Sequence, residues 1–120
     1  MNGEVDVSGR ALIVLSIRPS HRADAVSLQA WVDTAFTGEL VIPRATITRL
    51  GLPQSAAVMA GLADGTQVVL DTFSLVIDWF GREPVVEVVE NEGTLPLLAV
   101  GLLWERKLEI DYPARTLSIA

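Results

Sequence analysis

Short apolar runs rich in β-branched residues, each ended by a turn-forming segment, recur from one end of the chain to the other. Ala11–Ile17 is one such run, Val26–Val32 alternates with the period of two that is typical of a strand, and Thr116–Ile119 closes the chain. Pro43–Leu50 begins with proline and stops before Gly51, which predicts a short helix. The pattern therefore predicts a single, mainly β domain with one or two short helices.

A β-hairpin is predicted in the middle of the chain. The Asp64-Gly65 pair lies between two strand-like runs, Val58–Leu62 and Gln67–Phe73, and this dipeptide is a strong hairpin signal. Leu75–Phe80 is predicted as a further, separate strand. The segment Leu95–Ile110 is ambiguous, and we interpret it as a short strand followed by one or two helical turns.

The length of the chain, 120 residues, suits one domain with its own hydrophobic core. We predict that this domain covers residues 11–120 and that residues 1–10 form an N-terminal tail that need not be ordered. The apolar run Ala11–Ile17 is too short to cross a membrane, and no secretory signal pattern precedes it. We therefore expect a cytoplasmic protein without a membrane span.

Composition excludes several classes of function. Nine basic and fifteen acidic residues leave a net charge of −6, which argues against binding to nucleic acid. The chain has no cysteine and one histidine, so thiolate catalysis, disulfides and zinc sites built from several cysteines or histidines are excluded within one chain. We expect no metal and no cofactor. Half of the residues are hydrophobic, which suggests that a partner chain covers part of the surface.

One aspartate, Asp33, is a candidate catalytic residue because of its position in the chain. Asp33 directly follows the apolar strand Val26–Val32 and precedes the turn-like segment Thr34–Gly38. An ionised aspartate at the end of an apolar strand is costly unless it is hydrogen-bonded, paired or facing solvent. The simpler interpretation is an Asp-Thr turn that bonds its own backbone. A second pair, Asp71-Thr72, lies inside a strand-like run and is interpreted as structural.

The wider sequence around Asp33 favours a catalytic interpretation. Val32–Pro43 (VDTAFTGELVIP) resembles the catalytic loop of retropepsin-like aspartic proteases, an Asp-Thr/Ser-Gly triplet between two strands. Leu97–Leu103 (LLAVGLL) resembles the second landmark of that family, two hydrophobic residues and a glycine leading into a short helix. Met59–Leu70 falls where the family has its flap hairpin. The resemblance extends over residues 11–120 and is greatest to small bacterial single-domain members of the pepsin-like clan AA.

This resemblance implies a closed β-barrel with a flap hairpin, equivalent to one half of a pepsin-like fold. It implies an aspartic-type endopeptidase in which two carboxylates share a proton, so that one activates a water and the other polarises the peptide carbonyl. Because the chain carries one such loop, the dyad requires Asp33 from each of two copies, and the partner is a second copy in a homodimer. The expected substrate is an extended peptide or protein with apolar side chains beside the cut. We expect four apolar residues to line the cleft: Leu40, Ile42, Leu62 and Val100.

The resemblance also assigns supporting roles around Asp33. We expect the catalytic loop to be supported by Thr34, Ala35, Thr37 and Gly38. Packing against this loop is expected from Leu97, Leu98 and Ala99. The flap that binds substrate is expected to include Gly61, Leu62, Ala63, Asp64 and Gly65.

Two departures from the family pattern motivate another hypothesis. Ala35 and Ala99 stand where the family has glycine, and a β-carbon is strained wherever the backbone needs a positive φ. A non-catalytic retropepsin-like module for dimerisation or peptide binding is therefore the alternative. A third hypothesis is an unrelated small β-barrel with a chance Asp-Thr turn.

Overall fold

The computed structural model describes residues 1–120, with every side chain except that of Val58. Within these residues the chain forms ten strands and two short helices. The elements are β1 (Asn2–Val5), β2 (Ala11–Arg18), β3 (Val26–Asp33), β4 (Leu40–Pro43), α1 (Arg44–Leu50), β5 (Gln54–Gly61), β6 (Gln67–Ile77), β7 (Val85–Asn91), β8 (Leu97–Ala99), α2 (Val100–Leu103), β9 (Leu108–Asp111) and β10 (Thr116–Ile119). None of the described helices is long and apolar enough to cross a bilayer. The predicted mainly β class is confirmed.

All ten strands pair in the order β5–β6–β7–β4–β8–β3–β2–β1–β10–β9. An additional pairing places Ile17 of β2 opposite Ile77 of β6, so β2, β3, β8, β4, β7 and β6 close into a ring. The strands β1, β10 and β9 continue outward from β2, and β5 continues outward from β6. The helix α1 directly follows β4, and α2 directly follows β8.

The hydrophobic core follows from strand alternation. In β3, Leu28, Ala30 and Val32 are buried, whereas Trp31 between them is 40% exposed. Successive side chains of a strand point to opposite faces, so an alternating sequence buries one face and leaves the other open. Each large aliphatic side chain that becomes fully buried, such as Leu15, contributes about 1.5–3 kcal/mol. The alternation of β3 therefore fixes which face carries the residues next to Asp33.

Residues 1–10 were predicted as a tail, and part of this segment lies within the sheet. The strand β1 pairs with β10 on one side and with β2 on the other. The Met1 ammonium donates to the carbonyl of Ile119 at 2.8 Å, and the Ile119 amide donates to the carbonyl of Met1 at 2.8 Å. Val5 is buried. The contacts with β10 join residues more than 100 positions apart, and no local pattern in the first ten residues predicts them.

The predicted boundary between two central strands is wrong. Leu75–Phe80 does not form a separate strand, because β6 continues without interruption through Phe73 and Ser74, which pair with β7. The strand ends at Ile77, and a turn with positive φ at Phe80 and Gly81 follows. The predicted helix is confirmed as α1.

Candidate active site

Asp33 is the last residue of β3 and is partly exposed. Its Oδ1 accepts a hydrogen bond from the Ala35 amide at 2.9 Å, so the carboxylate is held by its own turn. This contact is the local Asx-type bond that the simpler interpretation predicts. Its presence leaves Oδ2 free of any hydrogen bond within the described residues. Thr34 and Ala35 are themselves exposed.

The strand β8 lies between β3 and β4, which are consecutive in the chain. It runs parallel to β3, with Ala99 opposite Asp33, and antiparallel to β4, with Leu98 opposite Leu40. Leu98 and Ala99 are fully buried at this junction. The loop of residues 34–39 must therefore pass around the end of β8, and this brings the Asp33 segment and residues 97–99 together as the sequence predicts.

Three consecutive amides hold that loop. The amides of Ala99, Val100 and Gly101 donate to the carbonyls of residues 39, 36 and 38 at 2.9, 3.0 and 2.8 Å. Bonds of this kind satisfy backbone groups that would otherwise lack partners where β8 turns into α2. The loop that carries Asp33 is thus bonded through three of its carbonyls to the end of β8 and the start of α2.

The two alanines that replace family glycines are not strained. Ala99 has φ −108° and ψ 176°, an extended conformation open to any residue. Among the described non-glycine residues, positive φ occurs at Phe80 and Arg115, so Ala35 is also outside the left-handed region. The extra methyl groups therefore cost little in backbone energy.

The depression next to Asp33 is not lined by any of the four residues that were predicted to line the cleft. A depression of about 380 Å³ is lined by Trp31, Val32, Asp33, Thr34, Ala35 and Leu97. Trp31 and Leu97 are opposite each other on β3 and β8. The guanidinium of Arg10 lies 6.0 Å from the centre of the Trp31 ring. The signal that could have identified Trp31 is the period of two, which places it on the same face as Asp33.

The prediction that Leu40 and Ile42 line a cleft is wrong. Leu40 and Ile42 are both 0% exposed because β4 is an inner strand whose four residues are all buried. Side chains in that position pack in the core and cannot contact a substrate. Leu62 is exposed, and Val100 is partly exposed. A second depression of about 870 Å³ is lined by β1, β9 and β10 and does not include Asp33.

The hairpin of β5 and β6 matches the predicted position of the flap segment. Its tip is the turn Leu62–Thr66, in which the Leu62 amide bonds the Thr66 carbonyl at 2.8 Å. Gly65 has φ +87°, a conformation that glycine adopts at little cost. Hydrogen bonds from the Thr66 hydroxyl and amide lower the pKa of the Asp64 carboxyl. Residues 61–65 are all exposed, so the hairpin projects into solvent.

The second Asp-Thr pair has a different environment. Thr72 is fully buried and its hydroxyl lies 3.0 Å from that of Ser55, whereas Asp71 is exposed on β6. Both residues lie inside a continuous strand, where no loop could present a carboxylate. The chain therefore has one Asp-Thr pair at the end of a strand, which is that of Asp33.

Solved structures of retropepsin-like proteases resemble this fold, the following two among them. A retropepsin-like aspartic protease from Rickettsia conorii matches with a TM-score of 0.65 at 16% sequence identity, over 98% of this chain and 86% of that one. The EIAV protease in complex with an inhibitor matches with a TM-score of 0.62 at 17% identity, over 83% and 90% of the two chains. No protein-family model and no curated protein matches the sequence. The likeness lies in the three-dimensional structure, and it shows that the chain has the retropepsin-like fold.

Proposed function

We propose that this protein is a homodimeric aspartic endopeptidase in which Asp33 of each copy supplies one carboxylate of a catalytic dyad. The observation that carries the proposal is the placement of Asp33. A partly exposed aspartate ends β3 in an Asp-Thr loop that wraps around the end of β8. This placement occurs in a chain with the retropepsin-like fold.

The need for a second copy follows from counting carboxylates. The reaction uses one ionised and one protonated carboxyl group, and each chain has one suitable loop. The ionised carboxylate removes a proton from a water, whose oxygen bonds to the peptide carbonyl carbon. The protonated partner gives its proton to the carbonyl oxygen, which forms a tetrahedral diol. A hydroxyl of this diol then returns a proton to that partner, the leaving nitrogen takes the proton that was removed from water, and the C–N bond breaks. Activity should fall as pH rises, because the dyad loses its shared proton.

The surrounding residues have supporting roles in this proposal. Thr34 and Ala35 are exposed beside Asp33, where they can meet the loop of the second copy. The tip of the β5–β6 hairpin closes over the substrate and binds its backbone. Trp31 and Leu97 are the apolar surfaces next to the carboxylate, which suits apolar substrate side chains.

The decisive experiment compares the two Asp-Thr pairs. Asp33→Asn should reduce peptide cleavage at least about a hundred-fold, because an amide can neither hold nor release the required proton. Asp71→Asn is the matched control and should cleave like the wild type. Cleavage would be measured between about pH 3 and pH 7, with dimer mass followed by sedimentation.

Three outcomes would contradict the proposal. Undiminished cleavage by Asp33→Asn would remove Asp33 from the mechanism. A wild-type protein that binds a statine-type inhibitor but cleaves nothing would favour the non-catalytic module. A strictly monomeric wild-type protein at micromolar concentration would rule out a dyad built from two copies.

A further inference from the structure

We propose that Glu39 and Gly101 form a clamp that positions the loop carrying Asp33. This inference rests on the proposed function, because it concerns the geometry of the same carboxylate. Neither residue belongs to the Asp-Thr triplet, and neither lines the depression beside Asp33. Glu39 is the last residue of the loop, and Gly101 is the second residue of α2, which packs against that loop.

Glu39 bonds the loop to two separate strands. Its side-chain Oε1 accepts a hydrogen bond from the Glu87 amide of β7 at 2.9 Å, and its carbonyl accepts one from the Ala99 amide at 2.9 Å. A bond from an amide to a carboxylate is stronger than one between neutral groups. One residue therefore ties the end of the loop to β7 through its side chain and to β8 through its backbone.

Gly101 makes this arrangement sterically possible. A β-carbon at this position would lie 2.7 Å from the carbonyl oxygen of Gly38 and 3.1 Å from Cγ of Glu39. The first distance is below ordinary van der Waals contact and involves backbone, so a side chain here would push the loop outward. The requirement for glycine is one of close approach, since the same Gly101 amide donates to Gly38 at 2.8 Å.

The two contacts act on the same segment. Gly38 and Glu39 end the loop that begins with Asp33, and the bonds from residues 99–101 reach three of its carbonyls. A small displacement of a catalytic carboxylate greatly lowers the rate of the chemical step. The affinity for substrate is less sensitive to such a displacement. Loosening the clamp should therefore lower kcat and leave KM nearly unchanged.

The test uses a substitution with a conservative counterpart. Glu39→Ala should speed hydrogen exchange at the Glu87 amide about ten-fold and lower kcat by a similar factor. Glu39→Gln keeps an oxygen that can accept the bond, so it should restore both values. Glu87→Ala is the matched control, because it removes an exposed side chain and leaves the bonded amide in place.

A second pair of variants tests the glycine. Gly101→Ala should lower kcat about a hundred-fold through displacement of the loop. Gly93→Ala is its control, because the nearest neighbour of a β-carbon there would be the Asn91 side chain at 3.3 Å, which can move more easily than backbone. If Gly101→Ala fails to fold, the Glu39 series decides the question alone.

The outcomes separate this inference from the proposed function. Unchanged exchange at Glu87 in Glu39→Ala would overturn the clamp, whether or not the protein is active. Faster exchange with unchanged kcat, or a KM change alone, would overturn its positioning role. Absence of cleavage by the wild type would overturn the proposed function, and the exchange measurements would still decide whether the clamp holds the loop.

Discussion

At the scale of single residues, a carboxylate in the turn between β1 and β2 holds the guanidinium that lies over Trp31. The Asp6 side chain accepts bonds from the amides of Ser8 and Arg10 and from the Arg10 guanidinium, which it holds at 2.7 Å. The same guanidinium lies over Trp31, two residues before Asp33. Asp6 thus orders the turn between β1 and β2 and presents a cation at the rim of the depression.

These bonds, led by the one from the Arg10 amide, lower the pKa of Asp6 below its usual value of 3.8. A pKa that is lower in the folded than in the unfolded state stabilises the protein at pH values above the unfolded-state pKa. This stability is lost as the pH falls through the folded-state pKa. We expect the thermal midpoint of the wild type to fall below about pH 4 more steeply than that of Asp6→Asn. The control is Asp24→Asn, because Asp24 is exposed. Thermal midpoints of the wild type and Asp6→Asn that fall in parallel with pH would contradict this prediction.

At the scale of elements, α1 shows how a helix end is specified. Gly51 follows the last turn with φ 65° and ψ 39°, and its amide bonds the carbonyl of Thr48 at 3.2 Å. A left-handed residue at this position satisfies carbonyls at the end of a helix. Nothing lies within 4 Å of a β-carbon added here, so a substitution would meet conformational cost alone.

Gly51→Ala should therefore lower the free energy of unfolding by about 1 kcal/mol. Gly51→Asn should cost less, because asparagine adopts the left-handed region more readily. Urea unfolding followed by fluorescence would measure both, with Gly93→Ala as a glycine of ordinary φ. Equal losses in all three variants would exclude the left-handed cap as the cause.

At the scale of the whole molecule, the first and last strands pair with other strands of the same chain. The strand β1 occupies the position between β2 and β10, and β10 pairs with β9 on its other side. One domain of residues 11–120 was expected, yet the first residues complete this part of the sheet. The free sheet edges within the described residues belong to β5 and β9.

Removal of residues 1–5 should lower the free energy of unfolding by at least about 2 kcal/mol, because Val5 leaves the core and two strands lose paired amides. Chemical denaturation of the truncated and full chains would measure the difference. A truncated protein of equal stability would show that β1 adds nothing to the fold. Replacement of exposed Val7 by serine provides a control in the adjoining turn.

Local chemistry made much of this molecule predictable. Alternation identified β3, the Asp-Gly pair identified the hairpin, and the proline and glycine around α1 identified its ends. The Asp33 loop and the segment 97–99 were also found, since their residues form a recognisable order along the chain. The roles of these residues in catalysis stay predictions.

The features that could be predicted from the sequence are local, because period-two burial and turn preferences depend on residues that are near one another in the chain. The tertiary structure decided that β2 meets β6, that β8 enters between β3 and β4, and that β1 joins β10. It also decided that Leu40 is core, that Trp31 borders Asp33, and that Gly101 lies against the loop that carries Asp33. Such contacts join distant segments, and their energy depends on the shape of the partner surface, which no window of sequence contains.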